Sequence, residues 1–295
     1  MTLSPAKAIS RVGIILEMIK FEHTVFALPF ALTSALVAAN GIPKLSVIGW
    51  ILVAMVGARS SAMAFNRIAD YQLDKLNRRT AGRALPTGVL KLGEVWAFTI
   101  VSAAVFVFAA WELNFLAFAL SPIVLVVLLG YSYTKRFTNL SHLVLGLALG
   151  IAPSGAWIAV KGTLAFAPMV LSAVVIFWTA GFDVIYALQD IEFDTKLGLF
   201  SLPKTLGPSK ALLASRAFHA LTVGLLIWYG LLLHLGLVYY VGTGFVTLLL
   251  AYEQSLVKPD DFSKVNTAFF TINGFVSVGF FLFTAADLLI RGRLL

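Results

Sequence analysis

Long apolar segments alternate with short polar ones along the whole chain. Each apolar segment is about long enough to cross roughly 30 Å of hydrocarbon as a helix, and the short alternating segments of a membrane β-barrel are absent. The pattern therefore predicts an all-α membrane protein with nine transmembrane spans. These spans are predicted at 24–40, 45–66, 94–111, 115–133, 141–160, 164–188, 211–232, 235–252 and 267–290.

The connections between the predicted spans are of two kinds. On one side they are terse, and on the other they are longer and charged, at 67–93, 134–140, 189–210 and 253–266. Most of the 22 Lys and Arg lie beside the amino terminus or these longer connections. Because cytoplasmic loops carry an excess of Lys and Arg, we expect the amino terminus and the charged loops in the cytoplasm and the carboxyl terminus outside.

Composition agrees with a membrane protein and adds some exclusions. Of the 295 residues, 60% are hydrophobic and only 12% are charged, about half the charged share of a soluble domain. The chain has no cysteine, which excludes disulfides, thiolate metal sites and a cysteine nucleophile. No cleavable signal peptide or transit segment is evident, which favours a bacterial inner membrane. No low-complexity linker divides the chain, so we expect one domain over 1–295. We expect neither a nucleic-acid partner nor a protein partner.

Two stretches gather acidic side chains where a predicted span ends. In the first, Asn66, Asp70 and Asp74 are spaced i, i+4 and i+8. On a helix such positions follow one face in steps of about 6 Å. The second stretch shares a face in the same way if the sixth span continues as a helix, and it carries Asp183, Tyr186, Asp190 and Asp194.

Four carboxylates gathered at a membrane surface repel one another and lose hydration, so they need a counter-charge. Mg²⁺ meets this need, because it takes one or two carboxylates and fills its other positions with water and phosphate oxygens. Each stretch alone could be a surface helix with an ordinary ion pair, but together they predict a Mg²⁺ and diphosphate site. The predicted metal ligands are Asn66, Asp70, Asp74, Asp190 and Asp194. The cations expected to take the remaining phosphate charge are Arg79, Arg83, Lys135, Arg136, Lys196 and Lys204.

Both stretches resemble signatures of the UbiA superfamily of intramembrane prenyltransferases. The first, "NRIADYQLDKLNRRTAGRALP", matches N-x-x-x-D-x-x-x-D followed by R-T-x-x-R-x-L-P. The second, "DVIYALQDIEFDTKLGLFS", matches D-x-x-Y-A-x-x-D-x-x-x-D followed by K-x-G-x-x-S. Residues 130–160 are also similar to the family, so the resemblance covers nearly the whole chain. Many members carry Asp directly after the first Asn, where this chain has Arg67.

The resemblance implies nine helices around a central cavity, with a cytoplasmic cap and a lateral opening to lipid. It implies transfer of a polyprenyl group from its diphosphate to an aromatic ring, most closely as in the branch that acts on 4-hydroxybenzoate in quinone biosynthesis. A dihydroxynaphthoate of menaquinone synthesis, or a chlorin or haem-type ring, is an alternative acceptor. A protein of a different functional class, a secondary transporter, is a further alternative. Transporter sites lie near the bilayer midplane, however, whereas these acids cluster at one face of the membrane.

Three further side chains are candidates for the acceptor end of the site. Arg59 lies inside the second span, where a charge is costly and marks a functional site by default. It is expected to hold the acceptor's carboxylate, the alternatives being an ion pair with Asp183 or snorkelling to the interface. Asp183 is expected either to orient Arg59 or to take the ring proton. Tyr186 is expected to line the site, because it shares a helix face with Asp183 and Asp190.

Overall fold

The computed structural model describes residues 11–19 and 26–294, and these residues are almost entirely helical. Within those ranges there is no β-strand, and β pairing is limited to an isolated bridge between Lys258 and Asp261. The α-helices are α1 Arg11–Met18, α2 Leu28–Ala39, α3 Leu45–Ala69, α4 Tyr71–Leu76, α5 Leu92–Leu113, α6 Phe115–Gly130, α7 Ser141–Lys161, α8 Phe166–Ala187, α9 Ile191–Lys196, α10 Leu202–Leu206, α11 Pro208–Leu232, α12 Leu237–Leu256 and α13 Asn273–Ile290. Two 3₁₀-helices, Tyr131–Arg136 and Leu188–Asp190, and a π-helix, Thr267–Ile272, extend or join them.

The predicted all-α membrane architecture is confirmed. Seven helical segments of the described chain are long and apolar enough to cross a membrane. Two of the nine predicted spans are weaker: α2 has only 12 residues, and α12, although 20 residues long, is not one of the seven. The count of nine is therefore approximate. The first two residues of the predicted span 24–40, and residues 1–10 of the predicted cytoplasmic face, lie outside the described ranges.

Helix α8 is the most deeply buried of the membrane-spanning segments. It packs against α7 and α11, and its Trp178 and Phe182 are buried among aromatic rings from other helices. Phe30 of α2 stacks on Phe280 of α13, with ring centroids 4.9 Å apart, and lies 5.1 Å from Trp178. Large buried rings contribute much of the packing energy of a core, so the second half of the chain is organised around α8.

Small residues let α7 and α8 approach closely. A Cβ atom at Gly146 would lie 2.4 Å from the backbone oxygen of Ile176, and one at Gly150 would lie 2.9 Å from the backbone oxygen of Ser172. Neither position accepts a side chain without a shift of the neighbouring backbone. Small residues at helix interfaces have this use in membranes, where packing rather than the hydrophobic effect joins helices.

The helices that carry the acidic stretches are interrupted at the charged end of the molecule. The first stretch does not form one helix, because α3 ends at Ala69 and α4 begins at Tyr71, with Asp70 between them in a non-helical conformation. The Asp70 N–H still donates to the Asn66 carbonyl at 2.9 Å, and the Asp74 N–H donates to the Asp70 carbonyl at 2.7 Å. The spacing of the three side chains is thus kept across the break. The second stretch likewise passes from α8 through a 3₁₀ turn into α9.

Candidate active site

A cavity of about 700 Å³ is enclosed mainly by α3, α6, α7 and α8. Apolar side chains such as Met55, Leu120 and Ala148 line most of it, and charged side chains line one end. Of the predicted site residues, the lining includes Arg59, Asn66, Asp70, Asp74, Arg79, Arg83, Lys135, Arg136, Asp183, Tyr186, Asp190 and Asp194. Lys196 is not part of this lining and is exposed at the end of α9, while the Lys204 ammonium donates to the Leu199 carbonyl at 2.6 Å.

The amide of Asn66 is held in one orientation at the start of the first stretch. Its Nδ2 donates to Asp70 Oδ2 at 3.1 Å and to Ser132 Oγ at 3.4 Å. Arg67 is buried, and it donates from Nη1 to Asn66 Oδ1 at 3.4 Å and from Nε to the Met18 carbonyl at 3.2 Å. The residue that departs from the family pattern therefore braces the asparagine of the motif instead of adding a carboxylate to the site.

Arginines pair with both carboxylates of the first stretch. Arg83 Nη1 lies 2.8 Å from each carboxylate oxygen of Asp74, and Arg136 Nη2 lies 3.5 Å from Asp70 Oδ1. Burial, and then the neighbouring charge of Asp74, raise the pKa of Asp70, while Arg136 opposes this shift. A further positive charge close to Asp70 would favour its ionised form.

Arg79 joins the first stretch to the second. Its Nη2 lies 2.7 Å from Asp190 Oδ2 and 3.0 Å from Oδ1, and its Nη1 donates to the Tyr186 hydroxyl at 3.0 Å. Asn77 Nδ2 lies 3.4 Å from the same Asp190 carboxylate. Asn77 and Arg79, which follow the first stretch, therefore contact Asp190 of the second stretch at the charged end of the cavity, although more than a hundred residues separate Arg79 from Asp190.

The donor set at this end suits a hard divalent cation. The candidate ligands are all oxygen-bearing side chains, as Mg²⁺ prefers. Asp194 is buried, and its Oδ2 has no hydrogen-bond partner among the described residues, a costly state for a carboxylate oxygen. As the described side chains stand, no three acidic or histidine groups converge on one point, and arginines pair with Asp70, Asp74 and Asp190. The donor types fit Mg²⁺, and three of these carboxylates are paired with arginines in this structure.

His142 contacts the predicted site residue Asp183, although it is not part of the cavity lining, and the sequence did not reveal this contact. It is completely buried near the start of α7, and its Nδ1 lies 2.7 Å from Asp183 Oδ2. The backbone N–H of Leu202 donates to its Nε2 at 3.3 Å. Because Nε2 accepts, the proton of the neutral ring is assigned to Nδ1, and His142 donates to Asp183. The only available signal was its place within the family-like stretch 130–160.

Two candidates for the acceptor end lie along the cavity wall. Arg59 is half-buried on α3, seven residues before Asn66, which corresponds to about 10 Å along a helix axis. Tyr186 lies beside the charged end, with its ring centroid 4.3 Å from that of Phe269. The cavity thus presents carboxylates at one end and a separate cation, Arg59, deeper along its wall.

The fold and the site define an integral membrane protein whose described residues are almost entirely helical. Acidic and basic side chains line one end of its cavity. Comparisons with known proteins make the class specific. The model of the UbiA prenyltransferase family matches residues 27–279. The chain is 31% identical over 255 residues to the 4-hydroxybenzoate octaprenyltransferase of Xanthomonas campestris pv. campestris (strain B100), with 86% of this chain and 84% of that protein covered. The chain therefore belongs to the UbiA prenyltransferase family.

Solved structures share the fold. The apo structure of a UbiA homologue from Aeropyrum pernix K1 is 34% identical, with a TM-score of 0.79, and covers 92% of this chain and 98% of its own. A UbiA homologue from Archaeoglobus fulgidus, solved with DMAPP and Mg²⁺ bound, has a TM-score of 0.73 and covers 94% of this chain and 99% of its own. At 21% identity, the second likeness concerns the fold alone.

Proposed function

We propose that this protein transfers a polyprenyl group from polyprenyl diphosphate to an aromatic acid such as 4-hydroxybenzoate, in a Mg²⁺-dependent reaction of quinone biosynthesis. One observation carries the proposal: a single cavity presents two aspartate stretches and several cations at one end and apolar side chains elsewhere. A prenyl diphosphate is divided in the same way into an anion and a hydrocarbon. The name of the Xanthomonas relative and the ligands of the Archaeoglobus structure support the same chemistry.

Asp70, Asp74, Asp190 and Asp194, with Asn66, are the residues proposed to hold Mg²⁺. When bound, Mg²⁺ supplies Lewis-acid polarisation of the diphosphate oxygens. The support from this chain is its hard oxygen donor set and the partnerless oxygen of Asp194.

Cations of the chain are proposed to bind the diphosphate and stabilise the charge that develops as the allylic C–O bond stretches. Arg79 and Arg83 suit this role, because their side chains are about one-third exposed although each pairs with a carboxylate. A guanidinium can offer two parallel N–H groups to a phosphate. Lys135 and Arg136 also line this end. Lys196 lies outside the lining, and the proposal gives it no contact with substrate.

At the acceptor end, Arg59 is proposed to bind the carboxylate of the aromatic acid. Asp183 is proposed to take the proton that the ring loses when the new C–C bond has formed and the ring regains its aromaticity. His142 supports this role, since its donation to Oδ2 fixes the orientation of the carboxylate. Tyr186 is proposed to line the space where the ring and the allylic group meet.

We further propose a bacterial inner membrane, with the charged end and the site in the cytoplasm. The concentration of Lys and Arg at that end supports this orientation. Since the chain has no cysteine, Lys258→Cys and Lys161→Cys each introduce a single label. A membrane-impermeant maleimide added outside intact cells is expected to label only the second variant, and labelling of only the first would reverse the orientation.

Turnover of purified protein with geranyl diphosphate, Mg²⁺ and a panel of acceptors tests the function. We expect prenylated 4-hydroxybenzoate, together with free diphosphate in at least the same amount. Faster turnover of a dihydroxynaphthoate would place the protein in menaquinone synthesis with the same chemistry. If no acceptor gave diphosphate release, the enzyme proposal would be wrong and the transporter alternative would gain support.

A further inference from the structure

A buried hydrogen-bonded cluster lies behind the cavity and joins α8, α12 and α13. Trp178 Nε1 donates to Asn273 Oδ1 at 2.6 Å, and Asn273 Nδ2 donates to Glu253 Oε1 at 3.1 Å. All three residues are 0% exposed. Burying polar groups is costly unless they are bonded, and the amide of Asn273 bonds both the indole of Trp178 and one carboxylate oxygen of Glu253. We call Trp178, Asn273 and Glu253 the buried cluster.

The buried cluster holds the π-helix Thr267–Ile272. Asn273 Nδ2 also donates to the carbonyl oxygens of Ala268 at 3.0 Å and Phe269 at 3.2 Å. Only one orientation of the amide satisfies all these contacts, because the indole N–H can only donate, and the carbonyl and carboxylate oxygens accept. Short π-helical turns are rare and occur mostly at functional sites. Here the side chain of one asparagine bonds two carbonyls of the widened turn.

The π-helix carries two aromatic residues that line the cavity, Phe269 and Phe270. The ring centroid of Phe269 lies 4.3 Å from that of Tyr186 and 5.1 Å from that of Phe182, and the Phe270 and Tyr186 centroids are 6.1 Å apart. The Tyr186 hydroxyl in turn accepts from Arg79. Direct contacts therefore connect the buried cluster, through Phe269 and Tyr186, to the charged end of the cavity.

The widened turn decides where these rings point. Each residue of an α-helix turns the chain by about 100°. Conversion of the π-turn to an ordinary α-turn would therefore rotate Phe269 and Phe270 relative to α13. Since aromatic faces attract cations within about 6 Å of the ring centre, the direction of these rings matters for any cationic species in the cavity.

We propose that Trp178, Asn273 and Glu253 are positioning residues that hold Phe269 and Phe270 against Tyr186 as an aromatic wall. The wall stabilises the allylic cation and keeps water from it, so the inference rests on the proposed prenyl transfer. When the allylic C–O bond breaks, its electron pair leaves with the diphosphate. The cation is then attacked by the acceptor ring, which loses a proton, or by water, which loses a proton to solvent and leaves a prenyl alcohol.

The ratio of prenyl alcohol to prenylated acceptor tests the wall, measured on the purified full chain with geranyl diphosphate and 4-hydroxybenzoate. Asn273→Leu removes the hydrogen bonds of the amide at similar volume. We expect the ratio to rise about twofold or more, because displaced rings admit water to the cation. Loss of one ring–cation contact slows transfer and hydrolysis alike, and we expect it to lower the rate of diphosphate release by about 2- to 30-fold. Trp178→Phe removes the indole donor together with part of a completely buried ring system, and it is expected to give a smaller rise. Glu253→Gln keeps an oxygen that accepts from Asn273 and is expected to stay near the wild-type ratio.

A matched control lies next to Glu253 on the same helix. Gln254 Nε2 donates to Ser215 Oγ at 2.7 Å and lies 3.0 Å from His219 Nδ1, in a network that does not include the π-helix contacts. Gln254→Leu therefore removes a half-buried amide without touching the π-helix, and it is expected to keep the wild-type ratio.

The outcomes separate a positioning role from a structural one. A raised ratio in Asn273→Leu, with the KM for geranyl diphosphate unchanged and Gln254→Leu normal, supports the inference. If transfer and hydrolysis instead fall together, in proportion to the loss of folded protein, the buried cluster is only structural and the inference is overturned. Should Asn273→Leu fail to fold, Trp178→Phe decides in the same way. Failure of the proposed function is distinct, since the wild type would then release no diphosphate.

Discussion

Replacing Asp190 by asparagine is the sharpest perturbation of the charged end. Asp190 accepts hydrogen bonds from Arg79 at 2.7, 3.0 and 3.3 Å and from Asn77 at 3.4 Å. Asp190→Asn keeps the shape of the side chain but removes its charge. It therefore removes a proposed metal ligand and leaves the Arg79 guanidinium without its counter-ion.

We expect Asp190→Asn to lose little stability but most of its catalytic rate, so the two effects can be measured separately. A buried charge-assisted hydrogen bond contributes about 1.5–3 kcal/mol, but the Arg79 side chain is 34% exposed, and exposed pairs contribute about 1 kcal/mol or less. We therefore expect a loss of about 1 kcal/mol, or a fall of about 2–4 °C in Tm. Loss of preorganised charge at a reacting group costs about 100-fold or more in kcat. The protein should thus stay folded while turnover nearly stops.

The assay is turnover with geranyl diphosphate and 4-hydroxybenzoate at limiting Mg²⁺, alongside thermal unfolding in detergent. Asp287→Asn is a matched control, because Asp287 is a buried carboxylate on α13 that accepts from the backbone N–H groups of Gly236 at 2.7 Å and Tyr239 at 3.3 Å. It does not line the cavity. We expect the control to lose stability and keep its rate. A near-normal kcat in Asp190→Asn would show that the charge of Asp190 is not needed for turnover.

Three other predictions follow from the same structure. Gly146→Ala is expected to lower the free energy of unfolding by about 1–3 kcal/mol, because its Cβ would lie 2.4 Å from the Ile176 carbonyl oxygen. A Cβ at Gly155 would meet nothing within 4 Å, so Gly155→Ala should be near neutral. Thermal unfolding in detergent measures both variants. His142→Phe removes the hydrogen bond to Asp183 and should lower kcat about tenfold, with the KM for geranyl diphosphate unchanged. An unchanged kcat would show that Asp183 functions without the hydrogen bond from His142. Chelation of divalent ions should abolish transfer until Mg²⁺ is added back, and transfer that persists in chelator would contradict the metal's role.

The spans and the two acidic stretches were predictable, because both leave local signals. Hydrophobic length alone identifies membrane helices, and an i, i+4 spacing brings side chains to one face. Local spacing did not show the break at Asp70, which the hydrogen bonds of Asn66 and Asp74 bridge without changing the side-chain order. Lys196 also shows the limit of sequence proximity, since it follows the second stretch directly but is exposed away from the cavity.

The individual side-chain pairings between distant segments were not predictable from one sequence. The pairing of Arg79 with Asp190 and that of His142 with Asp183 depend on which helices become neighbours, and periodicity carries no information on this. The glycines of α7 make the same point. Nothing in the local sequence distinguishes Gly155 from Gly146 and Gly150, but a Cβ atom at Gly155 would meet no neighbouring atom within 4 Å.

The central claim is that carboxylates from segments 66–74 and 183–194 together hold the divalent ions that bind a diphosphate. A crystal structure with Mn²⁺ and inorganic diphosphate, with the metal located by its anomalous signal, tests it most directly. We expect Mn²⁺ to lie between the two segments, with one ligand from Asp70 or Asp74 and another from Asp190 or Asp194. Mn²⁺ bound by one segment alone, or at another place in the molecule, would contradict it.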